Sequence, residues 1–177
     1  PSGLNRLDKI NSVVDIFTKE KYKDIGDNIV LSIAVDGNDV WLGTKAGPSR
    51  YSKIDDKWTL YTNHIDLDTS NVKVGCILAS DTGIWAGSVL GVSRFDKSNQ
   101  TWRLYDSTNG LINNKVTSIT VGNDNIWIGT EVGLSRFNLT SGTWKSYKKE
   151  NGLPHNVVKS ICADGDRLWL STKEKVF

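Results

Sequence analysis

Seven tryptophans in two ladders constrain this chain more than any other feature. Trp41, Trp85, Trp127 and Trp169 are separated by 44, 42 and 42 positions, and Trp58, Trp102 and Trp144 keep the same steps of 44 and 42. Two ladders in one register define a repeat of a little over forty residues, and a period of that length specifies a repeat architecture before any local propensity is considered. The stretch from Asn125 to Phe137 reads NIWIGTEVGLSRF, with copies at Asp39 to Tyr51 (DVWLGTKAGPSRY) and Gly83 to Phe95 (GIWAGSVLGVSRF). The fourth copy is split: RLWLST runs from Arg167 to Thr172, and GLNRL, its missing second half, occupies Gly3 to Leu7.

Each period holds four short strand candidates. The first is Val30 to Val35, matched by Val72 to Ala79, Val116 to Val121 and Val158 to Ala163. The second carries the first-ladder tryptophan, as in Ile126 to Thr130; the third follows a glycine, as in Leu134 to Asn138; the fourth holds the second-ladder tryptophan, in WTLY, WRLY and WKSY. β-branched and aromatic residues dominate these runs, and Asn, Asp and Gly, which tolerate positive φ, separate them. Apolar character is nearly continuous through Ile119, Val121, Ile126, Trp127 and Ile128. A sheet with one wet face alternates cleanly, whereas a sheet covered on both faces does not. Small four-stranded sheets, each sandwiched between two neighbours, make a β-propeller. Burying a tryptophan removes about 150–250 Å² from water, up to roughly 4–6 kcal/mol, so the ladders are expected to pack blade against blade.

The ends complement each other, since the chain begins with third and fourth strands and closes with first and second strands. The expected fold is an all-β propeller of four-stranded antiparallel blades. Its divisions are a half-blade over residues 1–28, blades over 29–71, 72–114 and 115–156, and a half-blade over 157–177. Pairing of the two halves closes a ring of four blades. The alternative is a segment of a larger ring.

The pattern V-x-S-I-x-x-D-G-x-x-x-W-L/I-G-T-x-x-G-L-S-R-F, followed by N-G-L-P-x-N, resembles the two-component regulator propeller repeat. It is carried by VTSITVGNDNIWIGTEVGLSRF from Val116 and by NGLPHNVV from Asn151, with a second inter-blade segment, NGLINN, from Asn109. The resemblance implies an extracytoplasmic, periplasmic or cell-surface, sensor region of bacterial hybrid histidine kinases or related surface proteins, with carbohydrates among the ligands sensed. No kinase or receiver region accompanies it here.

Charge excludes some functions. With 22 basic and 20 acidic residues the net charge is +2, which leaves no electrostatic footprint for nucleic acid. No run of about 18 apolar residues is present to span a membrane. Cys76 and Cys162 fall in first strands of blades that are not neighbours, so they are expected to be free and buried.

Function is expected where the copies disagree or converge on the channel mouth. Asn28, Asn71, Asn114 and Asn156 each end an inter-blade segment, where their amides either ring the mouth and bind hydroxyl groups or cap a local turn. His64, Asp66 and Asp68 occur in the second connection alone, and Lys149, Glu150 and His155 in the fourth. Together with Tyr22, residues His64, Asp66, Asn71, Asn114, His155, Asn156 and Asn28 form the candidate ligand site. Arg6, Arg50, Arg94 and Arg136 share one position in the third strand and are expected to anchor blades through carbonyls or carboxylates. No phosphate loop, nucleophile elbow, HExxH or calcium loop is present. The expected role is therefore a binding or sensing module without catalysis, cofactor or metal, whose ligand is a glycan or small molecule. The alternatives are a protein-interaction module, including self-association, and a polysaccharide lyase or hydrolase.

Overall fold

A computed structural model describes residues 3–61 and 72–172. Two strands open the chain, β1 (Leu4–Asp8) and β2 (Val13–Phe17), and form a two-stranded sheet. Three four-stranded antiparallel meanders follow. The first blade contains β3 (Val30–Asp36), β4 (Asp39–Thr44), β5 (Gly47–Ser52) and β6 (Lys57–Leu60). The second contains β7 (Cys76–Ser80), β8 (Gly83–Gly87), β9 (Val92–Asp96) and β10 (Thr101–Tyr105). The third contains β11 (Val116–Gly122), β12 (Asn125–Thr130), β13 (Leu134–Asn138) and β14 (Trp144–Tyr147). A second two-stranded sheet, β15 (Val158–Asp164) and β16 (Arg167–Thr172), completes the set. The β-propeller blade expected from the repeats is the architecture observed.

Two expectations need correction. Among the described residues β1 pairs with β2 alone and β16 with β15 alone, so the half-blades do not close a four-bladed ring, and the sheets agree with the alternative, a segment of a larger ring. The first strand of the second blade starts at Cys76 rather than Val72. Val74 instead turns its N–H to the Thr44 carbonyl of the preceding blade, at 3.0 Å, and Val116 does the same to Ser88 at 2.9 Å. The chain thus stitches the second and third blades to their predecessors at the entry to each sheet.

Blade-to-blade packing carries the core. Trp41 lies against Val74, Ile84, Ala86, Phe95 and Trp102 of the next blade. Trp85 repeats this against Ile126, Ile128 and Phe137, and Trp127 packs against the cluster that holds Val158 and Ile161 of the last sheet. The cross-strand pairs Trp41↔Arg50, Trp85↔Arg94 and Trp127↔Arg136 bring each third-strand arginine over the indole, at 5.9, 5.6 and 5.9 Å. The arginines also anchor carboxylates as expected, Arg50 to Asp39 at 2.9 Å and Arg6 to Asp15 at 2.8 Å. Stacking on an aromatic ring is their shared role, on tryptophan for Arg50, Arg94 and Arg136 and on Phe17 for Arg6, and it holds at Arg136, which has no carboxylate partner among the described residues.

Each second strand ends in a hydroxyl that closes the turn to the third. Thr44, Ser88 and Thr130 donate to the carbonyls of Gly47, Gly91 and Gly133 at 2.7, 3.2 and 2.8 Å, and accept from the backbone N–H two residues on. All three are buried, so the bonds matter more than their solvent-exposed counterparts would. Between the first and second strands, Gly37, Asn123 and Gly165 take the positive φ of tight hairpins, at 55°, 50° and 54°.

Cys76 and Cys162 are both free, but neither is fully buried as expected: Cys76 is half-buried, and Cys162 is exposed because no blade covers the outer face of β15 and β16 among the described residues. The Cys76 sulfur packs against Gly87, and burial pushes its thiol up to about 12.

Candidate functional site

The connections from fourth strand to next first strand and from second to third strand share one end of the blades. Backbone bonds show it: Lys45 N–H reaches the Ile29 carbonyl and Glu131 N–H the Lys115 carbonyl, each at 3.2 Å. This is the face where the sequence places the ligand site.

The inter-blade segments are closed loops built by asparagine. In NGLINN, Asn114 accepts the Ser107 N–H at 2.7 Å and Asn109 accepts the Asp106 N–H at 2.8 Å. In NGLPHN, Asn156 accepts from Lys149 at 2.6 Å and Asn151 from Lys148 at 3.1 Å. Leu111 and Leu153 return their N–H groups to the Asp106 and Lys148 carbonyls, and Leu111 plugs the core. Asn28 clamps the first segment likewise, accepting the Lys19 N–H at 2.6 Å while its amide nitrogen donates to both Glu20 oxygens at 2.9 and 3.0 Å. The asparagine oxygens therefore hold backbone seven to nine residues upstream. This is wider than a turn cap, and it explains why the residue recurs.

Two carboxylates reinforce these loops. The side-chain bond from Asn28 holds Glu20 below the usual carboxylate range, and that from Thr108 does the same for Asp106. Replacing Asn114 with alanine removes one clamp from an otherwise intact blade. We expect faster amide exchange at Ser107 and its neighbours, with global unfolding shifted by only about 0.5–1.5 kcal/mol, as read by native-state hydrogen exchange.

The remaining candidates divide by position. His155 is half-buried, and its Nδ1 accepts the Val157 N–H at 2.9 Å, which leaves Nε2 as the proton-bearing nitrogen of the neutral ring. Tyr22 packs into the aromatic cluster with Phe17 and Trp58, at 5.6 and 6.4 Å, beneath the Lys21 ammonium at 5.1 Å. His64, Asp66, Asp68 and Asn71 lie outside the described residues. Asn28, Asn114 and Asn156 occupy equivalent corners ahead of β3, β11 and β15, and no hydrogen bond joins one to another among the described residues.

Sequence reading missed the Lys115–Glu131 ion pair on this face, at 3.2 Å. Its signal was available, because the two positions following Thr44, Ser88 and Thr130 differ in every copy: Lys-Ala, Val-Leu and Glu-Val. Cavities open elsewhere, between blades. One of about 480 Å³ runs along Gly3 to Asn5 and Val30 to Ile33, and an apolar one of about 200 Å³ lies between Phe17, Val40 and Tyr51. Among the described residues no group of three or more His, Cys, Asp or Glu is gathered as metal ligands, and no helix is long and apolar enough to cross a membrane.

Blades of this construction define an arc of β-propeller. Residues 110–132 and 152–174 match the family model described as two component regulator propeller, so the chain carries that repeat. Each matched unit consists of the end of an inter-blade segment and the first two strands that follow it. No curated protein sequence matches the chain. Among solved structures it is similar to the extracellular domain of BT4673 from B. thetaiotaomicron, described as a hybrid two component system, at TM-score 0.78 and 20% identity over 97% of this chain and 24% of that one. The extracellular domain of BT3049 from the same organism gives TM-score 0.75 and 23% identity over 97% and 23%. PorZ, a surface component of the type-IX secretion system of Porphyromonas gingivalis, gives TM-score 0.60 and 16% identity over 90% and 21%. The chain spans about a quarter of the length of the first two structures. It is a propeller domain resembling extracellular sensor regions of hybrid two-component systems.

Proposed function

We propose that the chain is a non-catalytic sensing module of an extracytoplasmic bacterial protein, binding a carbohydrate or other small hydroxyl-rich ligand on the face of the inter-blade segments. One observation carries the reading. The loops of that face are clamped by repeated asparagines, while the residues between the clamps differ from blade to blade. A rigid frame with variable contents is the arrangement a recognition surface needs. Polar groups on this face include His155 and the Lys115–Glu131 pair. His64, Asp66 and Asn71 complete the proposed set, with Asn28, Asn114 and Asn156 as its frame and Tyr22 packed beneath the first segment.

The test is a glycan array followed by calorimetry on the hits. A carbohydrate that binds, and whose affinity falls at least tenfold in His155→Ala or Glu131→Ala without change in the unfolding midpoint, supports the reading. A folded chain that binds no glycan, or that binds equally after both substitutions, overturns it. Release of new reducing ends from a polysaccharide would place the chain among the lyases or hydrolases instead.

A further inference from the structure

The two seams between complete blades are filled differently at the end opposite the inter-blade segments. That end carries the hairpins from first to second strand and from third to fourth strand. At the seam of the first and second blades, the Lys97 ammonium closes the gap. It donates to the Ser80 carbonyl of its own blade at 2.7 Å and to the Asp36 carboxylate of the preceding blade at 2.8 Å. One repeat on, the positions equivalent to Asp36 and Lys97 are Ser80 and Leu139. The Ser80 hydroxyl turns to the Gly83 carbonyl at 2.8 Å, so no ion pair crosses the second seam at this point.

A cavity of about 360 Å³ opens where that ion pair is missing. Its size falls within the range of small-molecule sites, about 300–1,000 Å³. Ala79, Val121 and Leu139 form its apolar wall, while Asp81 of the second blade and Asp124 of the third stand at its rim. Thr82 and Thr140 complete the polar lining, and no lysine or arginine contributes to it among the described residues. Neither carboxylate has a hydrogen bond or an ion pair among the described residues. Both walls belong to complete four-stranded blades, so the cavity does not depend on where the arc starts or stops.

We infer that this cavity binds a small aliphatic amine, with its ammonium group between Asp81 and Asp124 and its hydrocarbon body on Ala79, Val121 and Leu139. The first seam supplies the precedent within the same molecule. There a primary ammonium on an aliphatic stem is held between the hairpins of adjacent blades by one carbonyl and one carboxylate. At the second seam Leu139 replaces that lysine, which leaves an apolar surface where the stem would lie and no cation for the nearby carboxylates. Two carboxylates without a base attract a cation and repel an anion. The apolar wall favours an organic cation over a metal ion, because a hard cation such as calcium needs about six to eight oxygen ligands. The cavity lies at the opposite end of the blades from the inter-blade segments, so it is separate from the recognition surface proposed above.

The test is titration of the 177-residue chain with cadaverine, read by backbone amide shifts in NMR, with pentane-1,5-diol as the uncharged control. We expect saturable shifts centred on Asp81 and Asp124 with the diamine and none with the diol. Asp81→Asn and Asp124→Asn are each expected to weaken binding about threefold to fivefold, the range for a partly exposed charge pair, and together to abolish saturation. Both side chains are exposed, so the unfolding midpoint is expected to stay unchanged. Leu139→Lys returns an ammonium to the seam and is expected to exclude cadaverine; where this variant does not fold, the two aspartate variants decide. Absence of saturation up to about 10 mM, enough to fill any site of millimolar affinity, overturns the inference. So does binding that is indifferent to both aspartate variants, an equal response to the diol, or shifts centred on the inter-blade segments. Calcium chloride shifting these amides where cadaverine does not also overturns it, by making the cavity a metal site.

Discussion

Trp85→Ala is expected to destabilise the chain by about 3–5 kcal/mol, the range for removing a large aromatic from a close-packed core. The indole is fully buried between the second and third blades, with Phe137 at 5.3 Å, Tyr105 stacked at 6.0 Å and the Arg94 guanidinium 5.6 Å from its ring. The loss falls on a seam, so it removes contacts from two sheets at once. Urea unfolding followed by circular dichroism reads it as a lower midpoint, and Trp169→Ala, exposed at the outer face, is the control expected to move the monomer by about 0.5 kcal/mol or less. A second variant separates shape from polarity. Trp85 Nε1 is buried without an acceptor among the described residues, so Trp85→Phe forfeits volume but no hydrogen bond. It should cost clearly less than the alanine variant. Equal losses from both would show that the indole nitrogen has a partner after all.

Gly91→Ala is the other substitution with a large expected effect, even though it adds a single methyl group. Gly91 opens the third strand of the second blade at φ 133°, a region that side chains rarely adopt, and an added Cβ would collide with the Tyr105 carbonyl oxygen and press on Leu104. Backbone strain of this kind costs about 1–3 kcal/mol. Displacing a backbone carbonyl in a packed sheet adds about 1–3 kcal/mol more. Thermal unfolding compared with Gly37→Ala isolates the steric part. Gly37 has φ 55° with no atom within 4 Å of the added methyl, so its variant carries conformational cost alone. If the two variants lose the same stability, the clash at Gly91 is relieved cheaply and the second blade is softer than its packing implies.

These expectations rest on features that a single sequence displays unequally. The blades were legible because both ladders repeat in register and because Gly, Asn and Asp mark every hairpin. β13 and the segment around Trp144 fall where the pattern places them, at Leu134–Asn138 and Trp144–Tyr147. The start of β7 was not legible. Val74 aligns with Val30 and Val116, and both Val74 and Val116 bond back to the previous blade, but Val116 also pairs in its own sheet while Val74 precedes its strand, a difference set by backbone geometry. The arginine stacking left a trace that went unread: the step from Trp to Arg is nine residues in Trp41–Arg50, Trp85–Arg94 and Trp127–Arg136. Pairing of the half-blades was left open between closure and a segment of a larger ring for a physical reason. Complementary edges specify which strand fits which, and say nothing about whether the two belong to one molecule.

The candidate site was legible only as a set of loops. Asn28, Asn114 and Asn156 announce themselves by recurring, yet their backbone partners lie on the far side of each segment and have no sequence signature. Lys115 and Glu131 are separated by a full hairpin, so only the fold brings them together.

The family unit at 152–174 holds the end of a connecting segment with first and second strands, whereas a blade needs third and fourth strands as well. Repeat and sheet are thus out of phase by half a blade. Inserting or deleting one period of 42 or 44 residues therefore adds or removes a full set of four strands and leaves the remaining blade-to-blade seams in the same register. Duplication of one unit lengthens the arc with a seam already built, and the number of blades becomes a matter of duplication history rather than of new interfaces.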